Sequence, residues 1–136
     1  MQIELYISSI AALGTMGLIM LLQLLAADVT GILRKHVPGT QVAADHEDAL
    51  FRVTRTVGNT NESIGIFIIG LTFCIYSGAS VSWTAYAAWA FVACRALYAL
   101  CYYTNQQILR STFFGLAFLA LAALLFIGFV TGLAGD

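Results

Sequence analysis

Charge is nearly absent from long stretches of this chain, and where it returns it marks the ends of helices. Residues 5–27 and 111–133 hold no Asp, Glu, Lys or Arg, and between Glu62 and Arg95 the one turn-like interruption is Ser77-Gly78-Ala79-Ser80. A membrane-spanning helix needs about 20 apolar residues. The pattern therefore predicts four spans: about 5–30, from near Arg55–Val57 to Tyr76, about 81–103, and from Ser111 to about Val130–Leu133. A polar segment with Pro38-Gly39 and Asp45-His46-Glu47-Asp48 joins the first two, and Asn105-Gln106-Gln107 with Arg110 joins the last two. Short connections make successive helices antiparallel neighbours. The expected fold is all-α, an integral membrane up-down four-helix bundle formed by residues 1–136 as a single domain.

Two charges break the apolar pattern from within. Glu62 lies fourteen residues before Tyr76 and Arg95 fourteen after Val81. At 1.5 Å per residue each sits about 21 Å from the turn, inside a hydrocarbon core about 30 Å thick. Antiparallel neighbours bring these opposite charges to one level, and an ionisable residue at such depth is costly enough to mark a functional site.

The polar neighbours form stripes. Arg52, Arg55, Asn59 and Glu62 are spaced i, i+3, i+7, i+10 along the second helix, and Arg95, Tyr98 and Tyr102 are spaced i, i+3, i+7 along the third. Each set occupies one helix face. Neither face can meet lipid, because unpaired polar groups there are expensive. Two readings follow. In one, Glu62 and Arg95, with Asn59 and a tyrosine hydroxyl, clamp two helices together. In the other, the stripes line a pocket for an anion near the inner interface. The second draws on surplus charge: Arg52, Arg55, Arg95 and Arg110 outnumber the one carboxylate at that depth, and guanidinium groups bind carboxylates in bidentate fashion.

Composition agrees with a membrane protein. The chain is 60 % hydrophobic and 10 % charged, with a mean hydropathy of +0.88, whereas a soluble domain carries about 25 % charged residues. A net charge of −1 leaves no footprint for nucleic acid. Arg34, Lys35, Arg52, Arg55 and Arg110 all belong to the first and third connections, so the positive-inside rule puts those connections in the cytoplasm and both termini on the other side. Trp83 and Tyr86 open the third span and Tyr102-Tyr103 close it, as interfacial aromatic belts would. The first span has no basic leader and outruns the apolar core of a signal peptide, so it reads as a retained helix. Cys74, Cys94 and Cys101 fall within spans. Cys94 and Cys101, two turns apart on one helix, are too distant to bridge. No metal-ligand spacing is present; His36 with His46-Glu47-Asp48 reads as a solvated loop. Asp28 reads as an interfacial residue, and Gly65 and Gly70 as points of close helix packing.

The stripes resemble the signatures of the membrane-associated proteins in eicosanoid and glutathione metabolism, the MAPEG family. On the second helix the pattern reads Arg55-Thr56-Val57-Gly58-Asn59-Thr60-Asn61-Glu62 with Phe67 five further on, and on the third Arg95, Tyr98 and Tyr102. Arg110-Ser111 opens the fourth helix as the family's Arg-Ser does. The chain departs from the pattern at Gly58, Ile66 and Cys101. The resemblance implies a homotrimer of four-helix subunits with glutathione held between neighbours near the cytoplasmic face. It implies that Arg55, Asn59, Glu62, Arg95, Tyr98 and Tyr102 bind the tripeptide, Glu62 taking its amino group and arginines its carboxylates. It further implies that Arg110 and Ser111 lie beside the thiol and act in catalysis. The implied activity is conjugation of glutathione to lipophilic electrophiles reaching the site from the bilayer, or peroxidase action on lipid hydroperoxides.

Two other classes fit parts of the pattern. One is a non-enzymatic membrane protein whose stripe serves only as a clamp. The other is a small four-helix multidrug transporter, but such proteins place their key glutamate in the first helix, where this chain has only Gln23 as an interior polar residue of any size.

Overall fold

A computed structural model of the chain describes residues 2–134; Asp136, the last charge of the sequence, lies outside them. A 3-10 turn, Gln2–Tyr6, leads into α1 (Ile7–Leu33), followed by α2 (Ala49–Tyr76), α3 (Val81–Tyr103) and α4 (Gln107–Ala134). Among the described residues there is no strand. The molecule is the four-helix bundle that the spacing of apolar stretches predicts. Helices α2 and α3 each pack against both α1 and α4. Glu4–Leu33, Val81–Tyr103 and Gln107–Ala134 are long and apolar enough to cross a membrane. Helix α2 is 28 residues long, or about 42 Å; its polar stripe is what lowers its hydropathy.

Two helices begin earlier than the apolar pattern suggests, because hydropathy cannot see a cap. Asp48 Oδ1 accepts from the Leu50 backbone N–H at 3.1 Å and starts α2 at Ala49, ahead of Arg55. Helix α4 starts at Gln107, which moves Arg110 from the loop into the first helical turn. Three of the helix C-termini turn the chain sharply. Lys35, Gly78 and Asn105 all adopt a positive φ just past their helices. In each case the next N–H reaches back to the helix: His36 to Gly31 O at 2.9 Å, Ala79 to Cys74 O at 2.9 Å, and Gln106 to Cys101 O at 2.7 Å. These are Schellman closures, which satisfy orphan carbonyls and turn the chain sharply.

The core lies where all four helices meet. Phe67 of α2 stacks on Phe91 of α3 with centroids 4.5 Å apart, among Ala12, Met16, Leu71, Ala88 and Leu124. Tyr6 seals one end by donating its hydroxyl hydrogen to the carbonyl of Ala79. Cys74, Cys94 and Cys101 are free thiols, and Cys74 Sγ donates to Leu124 O at 3.0 Å.

The glycines at the closest approach are only partly those expected. Gly70 does face α4, with a Cβ built there falling 3.4 Å from Leu124 Cβ, but Gly65 has nothing within 4 Å. The tight contact is at Gly128, where a Cβ would lie 2.6 Å from the Phe73 ring. Gly128→Ala should therefore destabilise the fold by about 1–3 kcal/mol through overpacking, read as a lower unfolding midpoint in detergent. Phe73→Leu in the same chain should recover part of that loss.

Candidate functional site

The helical period places the polar residues on the inward faces of three helices. Helix α2 presents Arg55, Asn59 and Glu62, α3 presents Arg95, Tyr98 and Tyr102, and α4 brings in Arg110 and Ser111. All eight line two adjoining cavities in the wedge between these helices. Arg55, Tyr98, Tyr102, Arg110, Ser111 and Phe114 surround about 210 Å³. Asn59, Glu62 and Arg95 surround a further 140 Å³ or so together with Ser63 and an apolar wall that includes Ile66, Phe91, Phe114, Phe118 and Leu121. Phe114 belongs to both, so a polar compartment and a largely apolar one meet at its ring.

The Glu62–Arg95 ion pair expected from depth does not form. Glu62 Oε1 instead accepts from Arg55 Nη1 at 2.9 Å along its own helix. Arg95 is 1 % exposed, and its Nη1 and Nη2 donate to Asn59 Oδ1 at 2.8 Å and Thr60 Oγ1 at 2.9 Å. Asn59 completes a relay by donating from Nδ2 to Glu62 Oε2 at 3.4 Å. Both side chains reach Asn59 and so lie at one level of the bundle; lateral separation is what spacing cannot supply, and the Asn59 amide fills that gap. Arg95 is thus a buried cation held by neutral dipoles and by the ring of Tyr98, whose centroid lies 4.5 Å from Cζ.

Arg52, counted with the stripe, leaves it. Its Nη1 turns back to the carbonyls of His46 and Glu47 at 2.8 and 2.9 Å, so it fastens the loop instead of facing the cavities. Tyr102 also departs from expectation: it is 4 % exposed and does not serve as a belt residue. Its ring lies under Arg110, with Cζ 4.4 Å from the centroid, and 5.5 Å from the ring of Tyr98. Trp83 and Tyr86 are exposed as a belt requires.

Arg110 Nη1 is 3.3 Å from His46 Nδ1, while the Ser111 hydroxyl donates to Gln107 O at 3.1 Å. The Ser111 hydrogen is therefore already engaged, and Arg110 is the stronger free donor beside the cavity. Thr60, Phe114 and His46 are the site neighbours that spacing did not single out. Thr60 lies one residue off the stripe and is reached because Arg95 forks to two acceptors. Phe114 follows Arg110 by one helical turn, a signal that was present. His46 comes from a loop, where periodicity carries no information. It stands apart from His36, whose ring nitrogen contacts Thr40, and among the described residues no three His, Cys, Asp or Glu side chains gather to hold a metal.

The sequence as a whole carries the same signature: a model of the MAPEG family matches residues 10–130. The chain belongs to the MAPEG family. It is accordingly an integral membrane member of the group concerned with eicosanoid and glutathione metabolism. The MAPEG match runs from the first turns of α1 into the last turns of α4 and includes every residue lining the two cavities. No curated protein matches the chain.

Proposed function

We propose that this protein is a homotrimeric membrane glutathione transferase that joins the tripeptide's sulfur to lipophilic electrophiles. One observation carries the reading. Around the two cavities stand three guanidinium groups, Arg55, Arg95 and Arg110, and a single carboxylate, Glu62. Such a surplus calls for anionic charge from a ligand, and glutathione brings two carboxylates with one ammonium group. Glu62 takes the ammonium, Arg55 and Arg110 take carboxylate or thiolate, and Asn59, Tyr98 and Tyr102 hold the backbone of the tripeptide. Arg95 acts through Asn59, fixing the amide that faces the ligand.

The chemistry follows from charge. A thiol of pKa about 8.5 reacts as thiolate, and a neighbouring cation lowers that value. Arg110 is the cation next to the polar cavity, so the sulfur belongs near it. The thiolate pair forms a carbon–sulfur bond while the leaving group departs with its own bonding pair. The apolar wall of Ile66, Phe91, Phe114, Phe118 and Leu121 suits an electrophile arriving from the bilayer. With a lipid hydroperoxide, two glutathione molecules would give the disulfide, an alcohol and water.

Assembly is part of the proposal. The side chains of Arg55 and Glu62 are 42 % and 60 % exposed in the single subunit, and Asn61 beside them is exposed too. Glu62 at membrane depth cannot be left against lipid without a large cost. A neighbouring copy covering this face would remove that cost and complete the pocket, as the family resemblance implies. With the basic connections in the cytoplasm, the polar cavity opens near that face.

Mixing the purified protein with glutathione at neutral pH should generate the ultraviolet absorbance of a thiolate, followed by conjugation of an activated aryl halide. No thiolate signal, with no conjugation, would remove the transferase reading. Ser111→Ala should leave the thiolate signal largely intact and change turnover by less than about threefold, because its hydroxyl hydrogen is committed to Gln107; a loss of a hundredfold would place Ser111 in the chemistry instead. The competing reading, a purely structural clamp, draws on the Arg95–Asn59–Glu62–Arg55 relay, which links α2 to α3 without any ligand, although the buried Arg95 Nε meets no acceptor among the described residues. It leaves Arg110 without a purpose.

A further inference from the structure

The connection between α1 and α2 does more than link two helices, because polar contacts from Arg34, Arg52 and Asn105 fasten residues 45–48 across the end of the wedge. Arg52 of α2 holds the carbonyls of His46 and Glu47 at 2.8 and 2.9 Å. Asn105, at the turn between α3 and α4, donates to Glu47 Oε1 at 3.0 Å. Asp45 Oδ1 accepts from the Glu47 N–H at 2.9 Å, and Asp48 caps α2 while lying 3.7 Å from Arg34 of α1. The segment is thus tied to α2, to the end of α1 and to the turn between α3 and α4, and its one side chain outside these contacts is His46.

That side chain touches two residues that line the polar cavity, Arg110 and Tyr102. The imidazole packs edge-on against Phe51 with centroids 5.0 Å apart, lies 5.9 Å from the ring of Tyr102, and brings Nδ1 to 3.3 Å from Arg110 Nη1. Arginine has five donors and no acceptor, so this contact is a hydrogen bond only when Nδ1 offers its lone pair, that is, in the neutral imidazole with the proton on Nε2. An arginine in the first turn of a surface-facing helix would otherwise sample many rotamers, at an entropic cost to any ligand that must fix it. Tyr102 restrains the guanidinium from one side and His46 from its edge.

We propose that His46 is a positioning residue for the anion site: its Nδ1 holds the Arg110 guanidinium against Tyr102, so that the cation is already placed when an anionic ligand arrives. The inference rests in part on the glutathione reading, since that reading names the ligand, but the placement of Arg110 can be read without any ligand. The charged group in contact with the imidazole is Arg110 from α4; Arg52 from α2 meets only the His46 backbone carbonyl.

The test uses the full chain in detergent and two readouts. The first is the rate at which phenylglyoxal modifies Arg110, followed by peptide mass spectrometry with no ligand added. His46→Ala should accelerate it about tenfold, whereas His46→Asn, which keeps an acceptor on a shorter arm, should remain within about threefold of the parent. The second is glutathione affinity, which His46→Ala should weaken with little change in kcat once the site is saturated. Glu47→Gln, which leaves the imidazole in place, should change neither readout by more than about twofold. Faster Arg110 modification in His46→Ala, without any glutathione binding by the parent, would sustain the positioning role while removing the tripeptide as ligand. Equal modification rates in parent and His46→Ala would overturn the inference whatever binds, and so would His46→Asn behaving like His46→Ala.

Discussion

Arg110→Ala should lower turnover with glutathione about a hundredfold and leave the protein folded. The arginine sits in the first turn of α4, touches the protein through the face of Tyr102 and His46 Nδ1, and bridges no two helices through a buried ion pair. Its removal therefore costs the fold little. The cavity loses the cation that would favour thiolate over thiol, and the bound sulfur should then ionise only at higher pH. The rate should rise with pH across the neutral range in Arg110→Ala, where the parent is already near its plateau. Stopped-flow turnover against pH, with circular dichroism as the check on folding, reads both parts. A variant as fast as the parent would strip Arg110 of any chemical role.

Arg95→Ala should act on the other half of the problem and destabilise the bundle by about 3–5 kcal/mol, through stranded acceptors and a cavity. Its guanidinium is sealed between α2 and α3, and truncation leaves Asn59 Oδ1 and Thr60 Oγ1 without their donor along with the space the side chain filled. Arg95→Lys should recover only part of the loss, since one ammonium on a flexible stem does not reproduce a planar fork reaching two acceptors. Pairing Arg95→Ala with Thr60→Val should cost less than the sum of the two, because the second change removes an acceptor that the first strands. Thermal unfolding in detergent measures all three. An Arg95→Ala protein with a parental midpoint would mean that the buried relay contributes nothing to stability.

These two arginines show what could be read from the sequence and what could not. Depth along a helix is arithmetic, so the level of Glu62 and Arg95 was legible, as were the faces carrying Asn59, Tyr98 and Tyr102. Which partner each charge takes depends on the lateral distance between helices, and that distance is set by packing such as Phe67 on Phe91 and the Gly128–Phe73 contact. Arg55 and Arg52 share a stripe by spacing, yet one reaches along the helix to Glu62 and the other turns to loop carbonyls, a choice made by the fold of residues 45–48. Helix ends at Ala49 and Gln107 escaped the hydropathy pattern because a capping aspartate and a left-handed asparagine are local hydrogen-bonding events. His46 was hidden for the same reason: a loop has no period from which to predict a direction.

The account turns on whether the excess of guanidinium groups is there to receive glutathione. Calorimetric titration of the detergent-purified protein with glutathione at pH 7 measures this most directly. Saturable binding that weakens about tenfold or more in Arg110→Ala is the result predicted here. No heat of binding at millimolar glutathione, from a protein that remains folded, would contradict it and leave the polar wedge as a clamp between helices.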